Sequence, residues 1–359
     1  MENREQLVFS CGILRHFING SLDLSREKTI SGFELSEPLL DAAAYNTYVE
    51  TVSNKADTLY LRIKEGLTEM VKHSYLNYIS RMSEKFDWKN KEFVLAFDYT
   101  DEDFYGDVQG LDIYGWTGEN GVKGKFKFLT CSIISDEIPQ KIPLISIPVK
   151  LGHNMSYAVT HCLYLIKPLI GEINLVLFDR WFYSKELMYD LKELKIPYLI
   201  FVPKKGFIKS ELKNMQDEEK KIIEHEYKLN RDKSTYNFES RLAFLKQIFC
   251  KGLNKNLDWV FATNVDGIKL DEIIQTYKKR WRIETGFRVQ DEARIKCKSK
   301  DMKIRYFIFM FEQMLQTQWA CFYKDKINFK QFLIEIHKVC KTLVENPKRS
   351  YGKSQKTQV

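Results

Sequence analysis

The sequence predicts an α/β fold in which a mixed sheet is flanked by helices. Two runs of strand length, Glu92–Phe97 and Ile173–Phe178, are almost wholly apolar, as is typical of central strands that are covered on both faces. A third run, Tyr198–Val202, follows a segment of helical periodicity with Ser184 as its predicted N-cap. Helix and strand therefore alternate along this part of the chain, which favours parallel pairing within one sheet.

Length and composition indicate a basic globular protein with more than one domain. The chain has 359 residues, and 44% of them are hydrophobic, which is ample for a buried core. It carries 56 Lys and Arg against 48 Asp and Glu, a net charge of +8, which suits a polyanionic partner without requiring one. Seven scattered cysteines and six histidines form no ligand or disulfide spacing, so we expect a reducing, cytoplasmic location.

Targeting and membrane signals are absent from the sequence pattern. The first residues lack the apolar stretch of a signal peptide. The most apolar segment, Tyr306–Tyr323, is interrupted by Glu312 and three glutamines, which is typical of a buried helix rather than a membrane span. We therefore expect no membrane partner.

Five regions are predicted along the chain. They are a helical N-terminal region (1–90), a core sheet (91–202 with 258–300), an inserted strand-containing subdomain (203–257), C-terminal helices (301–345) and a basic tail that is expected to be disordered (346–359). Within the first region, two helical segments joined through Val52–Asn54 resemble a helix-turn-helix that could bind a DNA end, and a plain helical hairpin is the alternative.

Three carboxylates are the candidate catalytic and metal-binding residues. Asp98 and Asp179 each follow an apolar strand, and adjacent parallel strands deliver such residues to the same edge of a sheet. Glu284 lies on a predicted helix that begins at Asp271. Three hard oxygen ligands match Mg²⁺ better than zinc, and two such ions would support an in-line phosphoryl transfer.

The predicted helix also carries a phenol and a guanidinium beside the acid. Tyr277, Arg280 and Glu284 are spaced i, i+3 and i+7, so their side chains should share one face. Because several cations surround Glu284, a solvated, ion-paired helix is the alternative interpretation.

Simpler structural roles exist for each candidate. Asp98 begins an acidic cluster with Asp101, Glu102 and Asp103, so composition alone does not single out the ligand. Asp179 would also suit a helix-capping position. Among the aromatic residues, Tyr277 would suit a half-buried helix position. Trp181 is a candidate for stacking on an unpaired base, and packing beneath the site is its alternative role.

These residues together resemble the motifs of insertion-sequence DDE transposases, whose last motif is Tyr-x2-Arg-x3-Glu-x6-Lys. The resemblance rests on Asp98-Tyr-Thr100, Phe178-Asp179-Arg180 and Tyr277-x2-Arg280-x3-Glu284, and it covers about residues 91–298. It implies a ribonuclease H-like core that cleaves DNA at transposon ends and joins it to target DNA. It further implies that the three acids bind Mg²⁺, as two ions for which Mn²⁺ can substitute.

The resemblance also implies DNA contacts and an assembly. Tyr277 and Arg280 would contact phosphates, and Arg288, Lys296 and Lys298 are further candidates for contact with double-stranded DNA. Paired-end chemistry implies a homodimer on the transposon ends, in a nucleoid-associated location.

One position departs from the family pattern. The family lysine would fall at Asp291, so either Arg288, Arg294 or Lys296 supplies the cation, or the protein holds the phosphate more weakly. The sequence leaves two alternative functions open. One is a ribonuclease H-like metal-dependent nuclease without strand transfer, and the other is a catalytically inactive DNA-binding derivative.

Overall fold

A mixed sheet with helices on both faces organises the computed structural model. The structure describes residues 2–24, 31–115, 118, 120–136, 141–250 and 254–346. The strands are β1 Glu92–Phe104, β2 Tyr114–Gly115, β3 Gly124–Ile133, β4 Ile142–Val149, β5 Glu172–Phe178, β6 Tyr198–Phe201, β7 Lys220–Arg231, β8 Ser234–Cys250 and β9 Lys255–Thr263. The helices are α1 Glu2–Leu22, α2 Gly32–Tyr45, α3 Val49–Val52, α4 Ala56–Glu65, α5 Thr68–Lys85, α6 Met155–Ile166, α7 Lys185–Glu193, α8 Gly206–Asn214, α9 Leu270–Lys278, α10 Trp281–Gln290, α11 Met302–Phe322 and α12 Phe329–Glu345.

The strand order confirms the predicted fold class. In the core, β4, β3, β1, β5 and β6 are neighbours in that order. β1 is antiparallel to β3 and parallel to β5, and β5 is parallel to β6. This order and these directions are those of a ribonuclease H-like sheet.

The two faces of the sheet bury two different apolar clusters. Because strand side chains alternate, Ala96 and Leu177 face one side, where they pack in a cluster with Tyr277 of α9. Phe97 and Phe178 face the other side, where their rings stack with centroids 5.5 Å apart. A residue two positions after Ala96 therefore points toward α9 and α10.

β1 is longer than its apolar run. The predicted strand ends at Phe97, whereas the observed strand continues to Phe104. The reason is that β3 remains beside it: Phe104 pairs with Gly124, and the side chain of Asp101 forms ion pairs with two lysines of β3. Asp98 consequently lies within β1, at the point where pairing with β5 ends and pairing with β3 continues.

Two local predictions are confirmed in detail. β4 spans Ile142–Val149, and among the described strands it pairs with β3 alone, so Pro143 and Pro148 lie in an edge strand, where a missing N–H donor is tolerated. Ser184 is the N-cap of α7, and its Oγ accepts a hydrogen bond from the backbone N–H of Leu187 at 3.1 Å.

The predicted insertion contains strands that prolong the same sheet. After β6, the chain forms α8 and the long hairpin of β7 and β8. β8 pairs with β9, and β9 returns antiparallel to β6. The outer order is therefore β6, β9, β8, β7, and the insertion is continuous with the core sheet.

Helices from both ends of the chain pack together against the sheet. α11 is buried along most of its length and contacts β4, α4 and α5, while α12 contacts α1 and α2. α2 and α4 are separated by the short helix α3, and the helix-turn-helix role of this region stays a prediction. The tail beyond 346 lies outside the described residues, and no helix in the described ranges is long and apolar enough to cross a membrane.

A buried acid on α11 connects this helix to the segment that follows α10. Glu312 Oε1 accepts a hydrogen bond from the backbone N–H of Ile295 at 2.7 Å, and Oε2 accepts one from Gln290 Nε2 at 3.3 Å. Burial raises the pKa of Glu312 well above its usual value, and the charge of Glu102 adds to this effect. Glu312 therefore keeps its proton in the folded protein at pH values where the unfolded chain has lost it.

We predict that Glu312→Gln makes the protein less sensitive to rising pH. Because the pKa of Glu312 is higher in the folded state, its contribution to stability is complete below the unfolded pKa and is lost as the pH rises toward the folded pKa. Within that window the wild type should lose about 1.4 kcal/mol of unfolding free energy per pH unit relative to the variant. Denaturant unfolding across this window measures the difference. Glu345→Gln, at an exposed position, should follow the wild type. If the unfolding free energies of the wild type and Glu312→Gln changed with pH in the same way, the prediction would be contradicted.

Candidate active site

The register of two parallel strands brings Asp98 and Asp179 together. Ala96 of β1 pairs with Leu177 of β5, and the two aspartates each lie two residues further along. Both side chains therefore project at the same height and, by strand alternation, on the face that packs against α9 and α10. The predicted adjacency of the two strands is confirmed.

Asp98 is a largely buried carboxylate with two hydrogen-bond donors. Its Oδ1 accepts a bond from the backbone N–H of Tyr99 at 2.9 Å, and its Oδ2 accepts one from Arg280 Nη1 at 3.0 Å. Burial raises the pKa of Asp98 to about 6; the Arg280 guanidinium opposes this shift, and the negative charges of Asp179 and Glu284 add to it. The three acids therefore act on one another electrostatically.

Asp179 combines a capping role with a free oxygen. It lies directly after β5 and caps the 3₁₀ turn Arg180–Phe182, because its Oδ1 accepts a hydrogen bond from the backbone N–H of Trp181 at 2.7 Å. Within the described part of the chain this is the one hydrogen bond of the Asp179 side chain, so Oδ2 remains open to a ligand. Phe182 anchors the turn by stacking on Tyr99 at a centroid distance of 5.1 Å. The capping interpretation is thus correct and does not exclude metal binding.

Glu284 reaches the same place from α10. The predicted single helix is in fact two helices, since α9 ends at Lys278 and α10 begins at Trp281. The backbone stays helical through the intervening turn, where the N–H of Arg280 bonds to the carbonyl of Tyr277 at 2.9 Å. Arg280 and Glu284 therefore remain one helical turn apart, and Arg280 Nη2 donates to Glu284 Oε1 at 2.7 Å. The Glu284 side chain is 52% exposed, so it faces both the acids and solvent.

Tyr277 and Arg280 lie inside the protein. Tyr277 is 3% exposed, and its ring packs against Phe201 and Phe261, with centroids 5.7 and 4.9 Å away. Burial raises the pKa of Tyr277 to about 12. Arg280 is 6% exposed, and its guanidinium carbon lies 5.8 Å from the centre of the Tyr277 ring. Their contact with DNA phosphates stays a prediction.

The donor set of the three acids fits a divalent cation of the Mg²⁺ type, although Arg280 lies between two of them. All three offer carboxylate oxygens, which are the ligands that Mg²⁺ prefers. Their oxygens do not all lie within 4.8 Å of one another. Among the described residues, the one group of three candidate ligands that lie this close together is Glu37, Asp41 and His337. The gap between Asp98 and Glu284 is occupied by the guanidinium.

The Glu37, Asp41 and His337 group joins α2 to α12. His337 Nε2 lies 3.5 Å from Glu37 Oε1 and 3.9 Å from Asp41 Oδ1. Sequence patterns do not reveal this group, because α12 lies about 300 positions after α2. The i, i+4 spacing of Glu37 and Asp41 is the one signal that the sequence contains.

A basic edge follows α10. We use this name for Arg294, Lys296, Lys298 and Lys300, which are exposed and alternate with inward-facing residues. The buried residue Arg305 fixes the strand-like segment by donating to the carbonyls of Ser299 and Cys297 at 2.8 and 2.9 Å, and it pairs with Glu102 at 3.2 Å. The alternation of basic and small or apolar residues is visible in the sequence, whereas the buried pair that holds it is not.

The N-terminal region is attached to the turn that follows α10. The side chain of Asn46, at the end of α2, donates to the carbonyls of Asp291, Glu292 and Arg294 at 3.3, 3.1 and 3.2 Å. Lys296 N–H donates to the carbonyl of Thr47 at 3.0 Å. Asp291, which replaces the family lysine, therefore lies in a turn that connects the N-terminal helices to α10.

Two exposed side chains lie close to the acids in sequence. Arg288 is exposed and lies one helical turn after Glu284 on the same face of α10. Trp181 is 79% exposed, so the interpretation that it packs beneath the site is wrong. Its large apolar surface is open to solvent directly after Asp179.

Comparison with known proteins agrees with this fold. The strand order and directions define a ribonuclease H-like fold. Residues 151–311 match the family model described as a transposase DDE domain, a range that includes Asp179 and Glu284 and begins after Asp98. This segment is therefore similar to a transposase DDE domain. No curated protein matches the chain in sequence.

Among solved structures, a piggyBac transposase synaptic complex with hairpin DNA, determined by cryo-electron microscopy, has the same fold. The TM-score is 0.57 at 13% sequence identity, and the match covers 99% of this chain and 82% of the other. At this identity the likeness extends to the fold alone.

Proposed function

We propose that the protein cleaves DNA at the ends of a mobile element and joins the released ends to target DNA, with Asp98, Asp179 and Glu284 as its catalytic residues. The observation that carries this proposal is that Arg280 bridges Asp98 to Glu284 while Asp179 follows the strand paired with that of Asp98, in a chain whose residues 151–311 match a transposase DDE domain. The raised pKa of Asp98 supports it, because the charges of the other two acids contribute to the shift.

The acids would hold two Mg²⁺ ions, for which Mn²⁺ can substitute. When bound, such ions activate the attacking oxygen and stabilise the leaving oxygen of an in-line displacement. Asp98 and Asp179 would be rigid ligands, because a strand and a capped turn fix their backbones. Glu284, on a partly exposed helix, would be the ligand nearest to incoming DNA.

The DNA would lie along the basic edge and α10. Arg288 and the four cations of the basic edge are exposed and follow Glu284 along the chain, so they could bind successive phosphates. Lys298 is positioned by the ring of Tyr48, 4.6 Å from its Nζ. We propose that these cations take the place of the family lysine at Asp291, and that Trp181 stacks on an unpaired base at the cleaved end.

A homodimer on paired ends is the assembly that we propose. Its support is the comparison protein, which is described as a synaptic complex with hairpin DNA. A nuclease without strand transfer would use the same acids, so the products must distinguish the two functions.

We predict that Asp98→Asn, Asp179→Asn and Glu284→Gln each reduce DNA nicking by about 10²-fold or more, because each removes a metal ligand. The assay uses a duplex that carries the inverted repeat flanking the gene, with Mg²⁺, and scores nicks with 3′-hydroxyl ends and joined products. Chelation of Mg²⁺ should abolish both the nicks and the joined products.

The matched control is Asp101→Asn, which lies on the same strand but faces the lysines of β3. Its activity should stay near that of the wild type, and all four variants should still bind the duplex. Full nicking by Glu284→Gln would refute the site assignment. Nicks without joined products would favour the alternative function, a nuclease without strand transfer.

We predict that Trp181→Ala weakens binding to single-stranded DNA by about 5- to 150-fold, because one base–aromatic stack is worth about 1–3 kcal/mol. Thermal stability should not change, since the indole is exposed. Trp181→Phe, which keeps an aromatic face, should retain most of the affinity. Fluorescence anisotropy with a labelled oligonucleotide measures the effect, and equal affinity of the alanine variant would exclude the stacking role.

A further inference from the structure

Arg280 is shared between two of the proposed metal ligands. Its Nη1 lies 3.0 Å from Asp98 Oδ2, and its Nη2 lies 2.7 Å from Glu284 Oε1. The two nitrogens of one planar guanidinium thus bind one oxygen from each acid, a fork geometry that lysine cannot reproduce. These are oxygens that would otherwise be offered to a cation.

The neighbouring cations behave differently. Lys279 and Arg282 both form ion pairs with Asp136, which follows β3 in the chain, and Arg282 also donates to the carbonyl of Ile134 at 2.8 Å. Over the ranges that the structure describes, Arg280 is the one basic residue that forms ion pairs with any of the three acids. Its position is therefore specific and does not reflect the general basic character of this segment.

Burial makes the position of Arg280 stable. Its residue surface is 6% exposed, and its Nε is buried without a hydrogen-bond partner. A guanidinium that left both acids without a replacement anion would become a buried, unpaired charge, which is costly. The guanidinium also favours the ionised acids, because its positive charge offsets part of the repulsion between the carboxylates.

We infer that Arg280 is an internal counter-cation that keeps divalent ions out of the site in the DNA-free protein. A divalent ion can be held by Asp98 and Glu284 together only after the guanidinium leaves at least one of them. The two cations repel each other at such short range, so metal and Arg280 compete for the same oxygens. The inference rests on the proposed function in taking these acids as metal ligands.

The test is Mn²⁺ binding without DNA, measured by isothermal titration calorimetry at about pH 8, where the carboxylates are ionised. Arg280→Met keeps the length of the side chain and removes its charge. We expect Arg280→Met to bind Mn²⁺ about tenfold more tightly than the wild type or better. We also expect added Mn²⁺ to raise the melting temperature of Arg280→Met more than that of the wild type. Arg280→Lys, with one point charge, should bind with intermediate affinity.

Arg282→Met is the matched control, because it removes a neighbouring guanidinium that binds none of the three acids; its Mn²⁺ affinity should equal that of the wild type. Unchanged or weaker Mn²⁺ binding by both Arg280→Met and Arg280→Lys would overturn the inference. A further experiment distinguishes failure of this inference from failure of the proposed function. If Asp98→Asn and Glu284→Gln in the Arg280→Met background bind Mn²⁺ as tightly as Arg280→Met itself, the acids are not ligands at all.

Discussion

The parallel pairing of β1 with β5 is the constraint on which the site depends. Because Ala96 pairs with Leu177, the two aspartates that follow are placed side by side and on the same face. A register shift of one residue in either strand would turn one of them toward the opposite apolar cluster. The stacked pair of Phe97 and Phe178 on that opposite face fixes the register, so packing beneath the sheet determines the chemistry above it.

The cost of this arrangement is the concentration of negative charge in a partly buried place. Three acids act on one another there, and the pKa of Asp98 rises to about 6 mainly because of burial. Arg280 compensates some of that charge within the protein. The same guanidinium binds oxygens that the proposed reaction needs for metal, so charge compensation and metal binding compete for the same atoms.

Local patterns were sufficient to predict the α/β class, the central strands and the caps, because apolar runs and capping residues act over short distances. The exposure of Trp181, the continuation of β1 past Asp98 and the break between α9 and α10 depend on tertiary neighbours, which local patterns do not reveal. The bridge from Arg280 to Asp98 joins residues 182 positions apart. Such contacts follow from strand register, which composition and periodicity do not specify.

Iron-directed cleavage of the polypeptide tests the convergence of the acids most directly. Fe²⁺ bound in place of Mg²⁺, with ascorbate and peroxide, generates radicals that cut the backbone close to the ion. We expect cuts near residues 98, 179 and 284 in the Arg280→Met variant, weaker cuts at the same positions in the wild type, where the guanidinium competes with the ion, and none when Asp98→Asn is added. Cuts confined to the neighbourhood of Glu37, Asp41 and His337, the other candidate ligand group, would contradict the convergence of the three acids on one metal site.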